Sequence, residues 1–139
     1  MLLDTCVVSD IAKPRPPAAL LRWFEETEEA QMHLSVLTLG EIARGCARLP
    51  PGRKRTRLTR WLAELRSSFS DRVLGVDSET AETWGRIAGE AERRGRIVAV
   101  IDGLIAATAA RHGLAVVTRN VSDFEPTRVE VLNPYGAGP

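Results

Sequence analysis

Four carboxylates sit where a small α/β protein could do chemistry with them. Asp4 follows the opening apolar run Met1-Leu2-Leu3, and Glu41 follows a second apolar run at residues 32–36. Asp102 opens an alanine-rich helical stretch. Asp123 lies just past the turn that ends the apolar run Leu114-Ala115-Val116-Val117. Brought together, such groups repel, and each ionised one raises the proton affinity of its neighbours. The cluster becomes tolerable with shared protons or with hard divalent cations, Mg²⁺ or Mn²⁺, which prefer oxygen ligands. Two such ions about 4 Å apart can activate a water and stabilise the leaving oxygen of an in-line displacement at phosphorus. The chemistry implied is metal-assisted phosphodiester hydrolysis. It needs no histidine base, which suits a chain whose histidines are His33 and His112.

Each acid also has an ordinary structural reading. Asp4 could cap a helix, and Glu41 could complete a Ser/Thr-x-x-Glu capping box with Thr38. Asp102 could complement a helix dipole from the first turn, and Asp123 could be a turn residue. The functional reading rests on all four falling at one sheet edge, which these separate roles do not require.

That edge follows from the elements. Residues 1–3, 32–36, 73–76, 114–117 and 129–132 read as five short strands. Helices are expected at about 6–12, 18–30, 39–48, in the long stretch after Pro50-Pro51-Gly52, at 78–94, and from Asp102 to His112. Gly113 closes the last of these. Trp61 and Trp84 fall at core positions of their helices. Strands alternating with helices imply a parallel sheet flanked by helices on both faces, with the functional crevice at the carboxyl ends of the strands. The polar residues Thr5, Thr118 and Asn120 flank the acids as supporting groups. Residues 1–133 read as one domain. The stretch 134–139, rich in Pro and Gly, reads as a flexible tail.

Composition sets bounds. At 139 residues, 44% hydrophobic and 27% charged, the chain is sized for a single globular core. A net charge of +1 gives no global field for a polyanion. Cys6 and Cys46 form no disulfide framework or paired metal spacing, so reduced thiols in a cytoplasmic protein are expected. No leader and no segment long enough to cross a bilayer is legible. One local field stands out. Arg53, Lys54, Arg55, Arg57 and Arg60 crowd the start of a helix, where cations oppose the dipole, so they are expected to serve something outside that helix.

With these residues in place, the chain resembles the PIN-domain ribonucleases, and among them the VapC-type toxins of bacterial toxin–antitoxin pairs. Leu2-Leu3-Asp4-Thr5-Cys6-Val7-Val8-Ser9 is similar to the family's opening, and Thr38-Leu39-Gly40-Glu41-Ile42 to its second acidic motif. The run from Asp102 to Ala109 resembles the third motif, Thr118 to Phe124 the fourth, and Asn133-Pro134 the usual ending. The ordered set covers nearly the whole chain. The resemblance implies a single PIN-like domain, Mg²⁺ or Mn²⁺ held by Asp4, Glu41, Asp102 and Asp123, an RNA substrate, a homodimer and a cognate antitoxin. The basic residues 53–60 then become candidate contacts for the RNA backbone. One departure stands out: the family usually has Asn after its Asp-Thr pair, and here the residue is Cys6, an expected inert substitution that alters hydrogen bonding around Asp4.

Two other readings compete. A haloacid-dehalogenase-like phosphatase also begins strand–Asp, but needs a second Asp where this chain has Cys6. A catalytically silent PIN domain kept for binding RNA or a partner would have no reason to keep four repelling acids together.

Overall fold

The computed structural model describes residues 1–136. Five strands, each only two residues long, run parallel: β1 (Leu2–Leu3), β2 (Leu34–Ser35), β3 (Val73–Leu74), β4 (Val116–Val117) and β5 (Val131–Leu132). One ladder joins β1, β4 and β5, and another joins β2 to β3. Backbone bonds Leu3 N–H to His33 O (3.0 Å) and His33 N–H to Met1 O (2.8 Å) connect the two, giving the order β3-β2-β1-β4-β5. The order reverses between β1 and β4, which opens a crevice at their carboxyl ends.

Side-chain alternation splits the core into two layers. Leu3, Leu34 and Val117 face helices α1 (Thr5–Ile11), α2 (Ala18–Glu26), α3 (Val36–Arg48) and α4 (Arg53–Phe69). Leu2 and Val116 face α6 (Val100–His112) and the short α7 (Val121–Phe124), through Ile105, Ala106, Ala109 and Phe124. A period of two along each strand sends successive residues to opposite faces, so even two-residue strands serve both layers. The expected helices on both faces are present.

The remaining helix, α5 (Ser78–Arg93), lies against α6 with little space between them. Its start is capped by Asp77, which accepts from the Thr80 N–H at 2.8 Å. A Cβ on Gly103 would meet Trp84 Cδ1 at 2.8 Å and Nε1 at 2.9 Å. Glycine is therefore what lets the indole lie on α6 directly beside Asp102, even though the buried Trp84 N–H finds no hydrogen-bond partner there. Gly103→Ala is expected to destabilise the protein by about 1–3 kcal/mol through overpacking. By contrast, Gly85→Ala on α5, where an added Cβ meets nothing within 4 Å, is expected to stabilise it by up to about 1 kcal/mol. Denaturant melts of the two variants check the contrast.

Some boundaries differ from the sequence reading. Helix α3 starts at Val36, and its cap is Ser35, whose hydroxyl accepts from Leu37 N–H at 3.0 Å. Thr38 is inside the first turn and fully buried, so no capping box forms with Glu41, and the Glu41 side chain is left for other contacts. Helix α2 stops at Glu26, and residues 29–31 form a separate 3₁₀ turn. The tail at 134–139 does not start free: Pro134 is buried and the Tyr135 hydroxyl is bound to Asp10, while residues 137–139 lie outside the described part of the chain.

Candidate active site

Asp4 is the last residue before α1, and its backbone N–H bonds Val117 O on the neighbouring strand at 2.9 Å. It both caps the helix and faces the crevice. One carboxylate oxygen accepts from the Thr5 N–H at 2.8 Å, and the other accepts from the Thr118 hydroxyl at 2.8 Å. Asp4 is 6% exposed, so these donors offset the cost of holding its charge away from water. Thr118, fully buried at the end of β4, accepts in turn from the Asn120 N–H at 3.0 Å. Asn120 thus enters the site through its backbone.

Across the crevice the Thr5 hydroxyl donates to Glu41 Oε1 at 2.7 Å, with the Thr38 hydroxyl 3.3 Å away. Thr5, the first residue of α1, therefore ties α1 to α3. Asp102 comes from the first turn of α6. Asp123 stands exposed on α7, and its N–H closes the turn onto Asn120 O at 3.1 Å.

The electrostatics link all four acids. Burial, then the charges of Asp4, Asp123 and Glu41, push the Asp102 carboxyl up to about 6 from an ordinary 3.8. Three carboxylates from three different elements therefore act on a fourth. They do not close on one point: among the described residues no group of three or more acidic, histidine or cysteine side chains surrounds a common centre. Glu41 is drawn to Thr5 and Asp4 to Thr118, while Asp102 carries the strain of the unshielded charge. The donor set is all oxygen, which suits a hard divalent cation, and such a cation would relieve the repulsion that raises Asp102.

Cys6, at the position where the resemblance implies asparagine, lies beside Asp4. Its sulfur is 3.6 Å from Asp4 Oδ2 and 3.5 Å from Thr118 Oγ1, both weak contacts. Burial pushes the thiol up, and the Thr118 hydrogen bond only partly offsets this, so Cys6 is a neutral thiol and a poor nucleophile.

Beside the crevice lies a network that the sequence reading missed. Asp10, 4% exposed, accepts from Lys13 Nζ at 2.6 Å, Arg119 Nη1 at 2.8 Å and the Tyr135 hydroxyl at 2.7 Å. Burial works against its charge, but the Lys13 and Tyr135 hydrogen bonds and the Arg119 charge outweigh it and hold the carboxyl below its ordinary value. The Arg119 guanidinium also lies 5.5 Å from the Tyr135 ring centroid. Arg119 sits between Thr118 and Asn120, so this network anchors the turn that carries the Asp4 donor. The available signal was Asp10 three residues after Val7, on the inward face of α1.

The five basic residues do not share one surface. Lys54, Arg57 and Arg60 line a groove between α1 and α4, whereas Arg55 and Arg60 border a separate shallow hollow with Pro51 and Gly52. Arg53 is exposed at the first position of α4.

Comparison with known proteins agrees with this architecture. The chain matches the PIN domain over residues 1–127. It is 33% identical to the VapC ribonuclease Y4jK of Sinorhizobium fredii, covering 97% of each chain. It is 34% identical to the toxin FitB of Neisseria gonorrhoeae, covering 97% of this chain and 98% of that one. The crystal structure of FitAcB from Neisseria gonorrhoeae superposes with a TM-score of 0.91 at 34% identity, covering 98% of this chain and 99% of that one. Motif order, sheet topology and these matches together show that the chain belongs to the PIN-domain family.

Proposed function

We propose that this chain is a Mg²⁺- or Mn²⁺-dependent endoribonuclease that hydrolyses RNA phosphodiester bonds as the toxin of a toxin–antitoxin pair. The observation that carries the reading is that Asp4, Glu41, Asp102 and Asp123, from four separate stretches of the chain, meet at one sheet-edge crevice, near enough that the charges of the other three add to burial in raising the Asp102 carboxyl. A site with no use for a cation has no reason to hold four acids in this conflict. The relatives point the same way, one being named a ribonuclease and the other a toxin.

Asp4, Glu41, Asp102 and Asp123 would hold the metal. When bound, it would activate a water for attack at phosphorus and stabilise the leaving oxygen. The rest is done by the chain. Thr118 and the Thr5 N–H fix both oxygens of Asp4, and the Thr5 hydroxyl holds Glu41 toward the crevice. The backbone of Asn120 sets Thr118 in the orientation that donates to Asp4. These bonds keep Asp4 and Glu41 at the crevice, and holding one cation would draw the four acids closer to a common centre than they stand here.

A cognate antitoxin is the expected protein partner, since the site must be blocked to keep RNA intact. A homodimer is supported by exposed apolar residues just before and at the start of α6: Ile97, in the preceding segment, is 88% exposed, and Val100, the first residue of the helix, is 58% exposed. RNA as substrate and two free thiols favour the cytoplasm. Among the described residues no helix is long and apolar enough to cross a membrane.

The test is cleavage of a labelled single-stranded RNA by purified protein freed of any partner. Cutting is expected in Mg²⁺ or Mn²⁺ and is expected to stop in chelator. Cutting at the same rate in chelator would defeat the metal-dependent reading.

A further inference from the structure

The long basic helix borders a groove that begins at the catalytic crevice. A cavity of about 300 Å³ opens on Thr5 and Glu41, and is walled by Lys54, Leu58 and Trp61. A larger one of about 880 Å³ shares Ser9, Lys54, Leu58 and Trp61 with it and runs on past Arg57 and Arg60 to Pro14. The two form one path between α1, α3 and α4. Lys54, Arg57 and Arg60 are exposed along it, and among the described residues none of the three has a carboxylate partner. Glu64 is the only acid in the larger part. The floor is apolar. Trp61 packs one side against the core, as its helical position suggested, and also lines both cavities, so part of the indole faces the groove.

Unpaired cations beside an apolar, aromatic floor are what a single strand of nucleic acid uses, with charges for phosphates and a π-face for a base. Lys54 and Arg57 are three residues apart and Leu58 and Trp61 repeat that spacing, so phosphate and base contacts would climb the helix in parallel. Resting on the ribonuclease reading above, we propose that this groove holds the single-stranded RNA flanking the scissile phosphate, with Lys54, Arg57 and Arg60 on its phosphates and Trp61 against a base. The charge sign and the start of the groove at Glu41 favour RNA over a protein segment: a strand cut at the crevice must leave along some surface, and this one is continuous with it.

The test uses full-length protein in chelator, titrated with a short labelled single-stranded RNA at several salt concentrations. K54A/R57A is compared with R93A/R96A, which removes the same charge from exposed positions at the end of α5 and beyond it. The groove pair is expected to weaken binding at least about tenfold at low salt. It should also flatten the slope of log affinity against log salt by about 1.4, two lost contacts at about 0.7 each for a single strand. The distant pair is expected to leave the slope unchanged. Trp61→Leu is expected to weaken binding of RNA but not of an abasic oligonucleotide of equal length. Equal losses in the two charge pairs, or no loss in either, overturn the proposal; the second result would leave the groove to a protein partner. Equal weakening of RNA and abasic strand by Trp61→Leu overturns it as well. Wild-type cleavage of the same RNA in Mg²⁺ is measured alongside. Cleavage with an indifferent groove overturns the groove alone, whereas neither cleavage nor binding overturns the ribonuclease reading and the groove with it.

Discussion

Asp102→Asn is expected to lower RNA cleavage at least about a hundredfold and, in the same protein, to raise the melting temperature measured in chelator. The two effects share one cause. Asp102 is half-buried on α6 and feels Asp4, Asp123 and Glu41, so its charged form is disfavoured in the folded chain. Replacing it with a neutral amide of the same shape removes that conflict and with it one oxygen ligand of full charge. A residue serving only to complement the α6 dipole would behave in the opposite way: its loss would cost a few tenths of a kcal/mol to about 1 kcal/mol of stability and leave cleavage intact. Asp4→Asn also removes activity but does not share the gain in stability. Asp4 is buried, caps α1 and accepts from Thr118, so an amide there leaves a buried donor without its partner. Thermal melts and cleavage rates of both variants separate the two roles.

The second large effect is on pH. Asp102 holds its proton in the folded chain up to about 6, against an ordinary 3.8. Between these values the folded protein binds a proton that the unfolded chain has released. Stability in chelator therefore falls as pH rises through this window and levels off above it. The difference in melting temperature between wild type and Asp102→Asn isolates the group from the other acids. It should be small near pH 4, widen towards 6 and stay constant beyond. Metal acts with the opposite sign, because a cation binds the ionised cluster and stabilises the fold by mass action. The Mg²⁺-induced rise in melting temperature should be full above about pH 6 and fade below it as Asp102 keeps its proton. A stabilisation by Mg²⁺ that is the same on both sides of this window would mean that the ion binds elsewhere.

Much of this site was legible in the chain, for physical reasons. Apolar runs bounded by Asp4-Thr5 and by Thr118-Arg119-Asn120 marked strand ends, and a parallel sheet gathers its strand ends on one edge. Other features were not legible. Capping-box spacing pointed to Thr38 and Glu41, whereas Ser35 caps α3 and Thr38 goes into the core, because the backbone turns helical as soon as the two-residue strand ends. Asp4 turned out to be both cap and crevice carboxylate, two roles that one side chain can fill because it has two oxygens. The Asp10–Arg119–Tyr135 network was hidden because its members are far apart in sequence and Tyr135 stands among prolines and glycines, a composition that suggests loose chain. Nor could composition divide the basic run of α4 between a groove and a separate hollow, since that division depends on where α1 and α3 pack.

The central claim, that four carboxylates form a metal-dependent nuclease site, is tested most directly by calorimetric titration of Mn²⁺ into metal-free wild type and Asp102→Asn at neutral pH. Wild type is expected to bind Mn²⁺ saturably, and the variant at least about tenfold more weakly, since one ionised ligand of the cluster is gone. Equal affinity in the two proteins, or no saturable binding by wild type, would contradict the account.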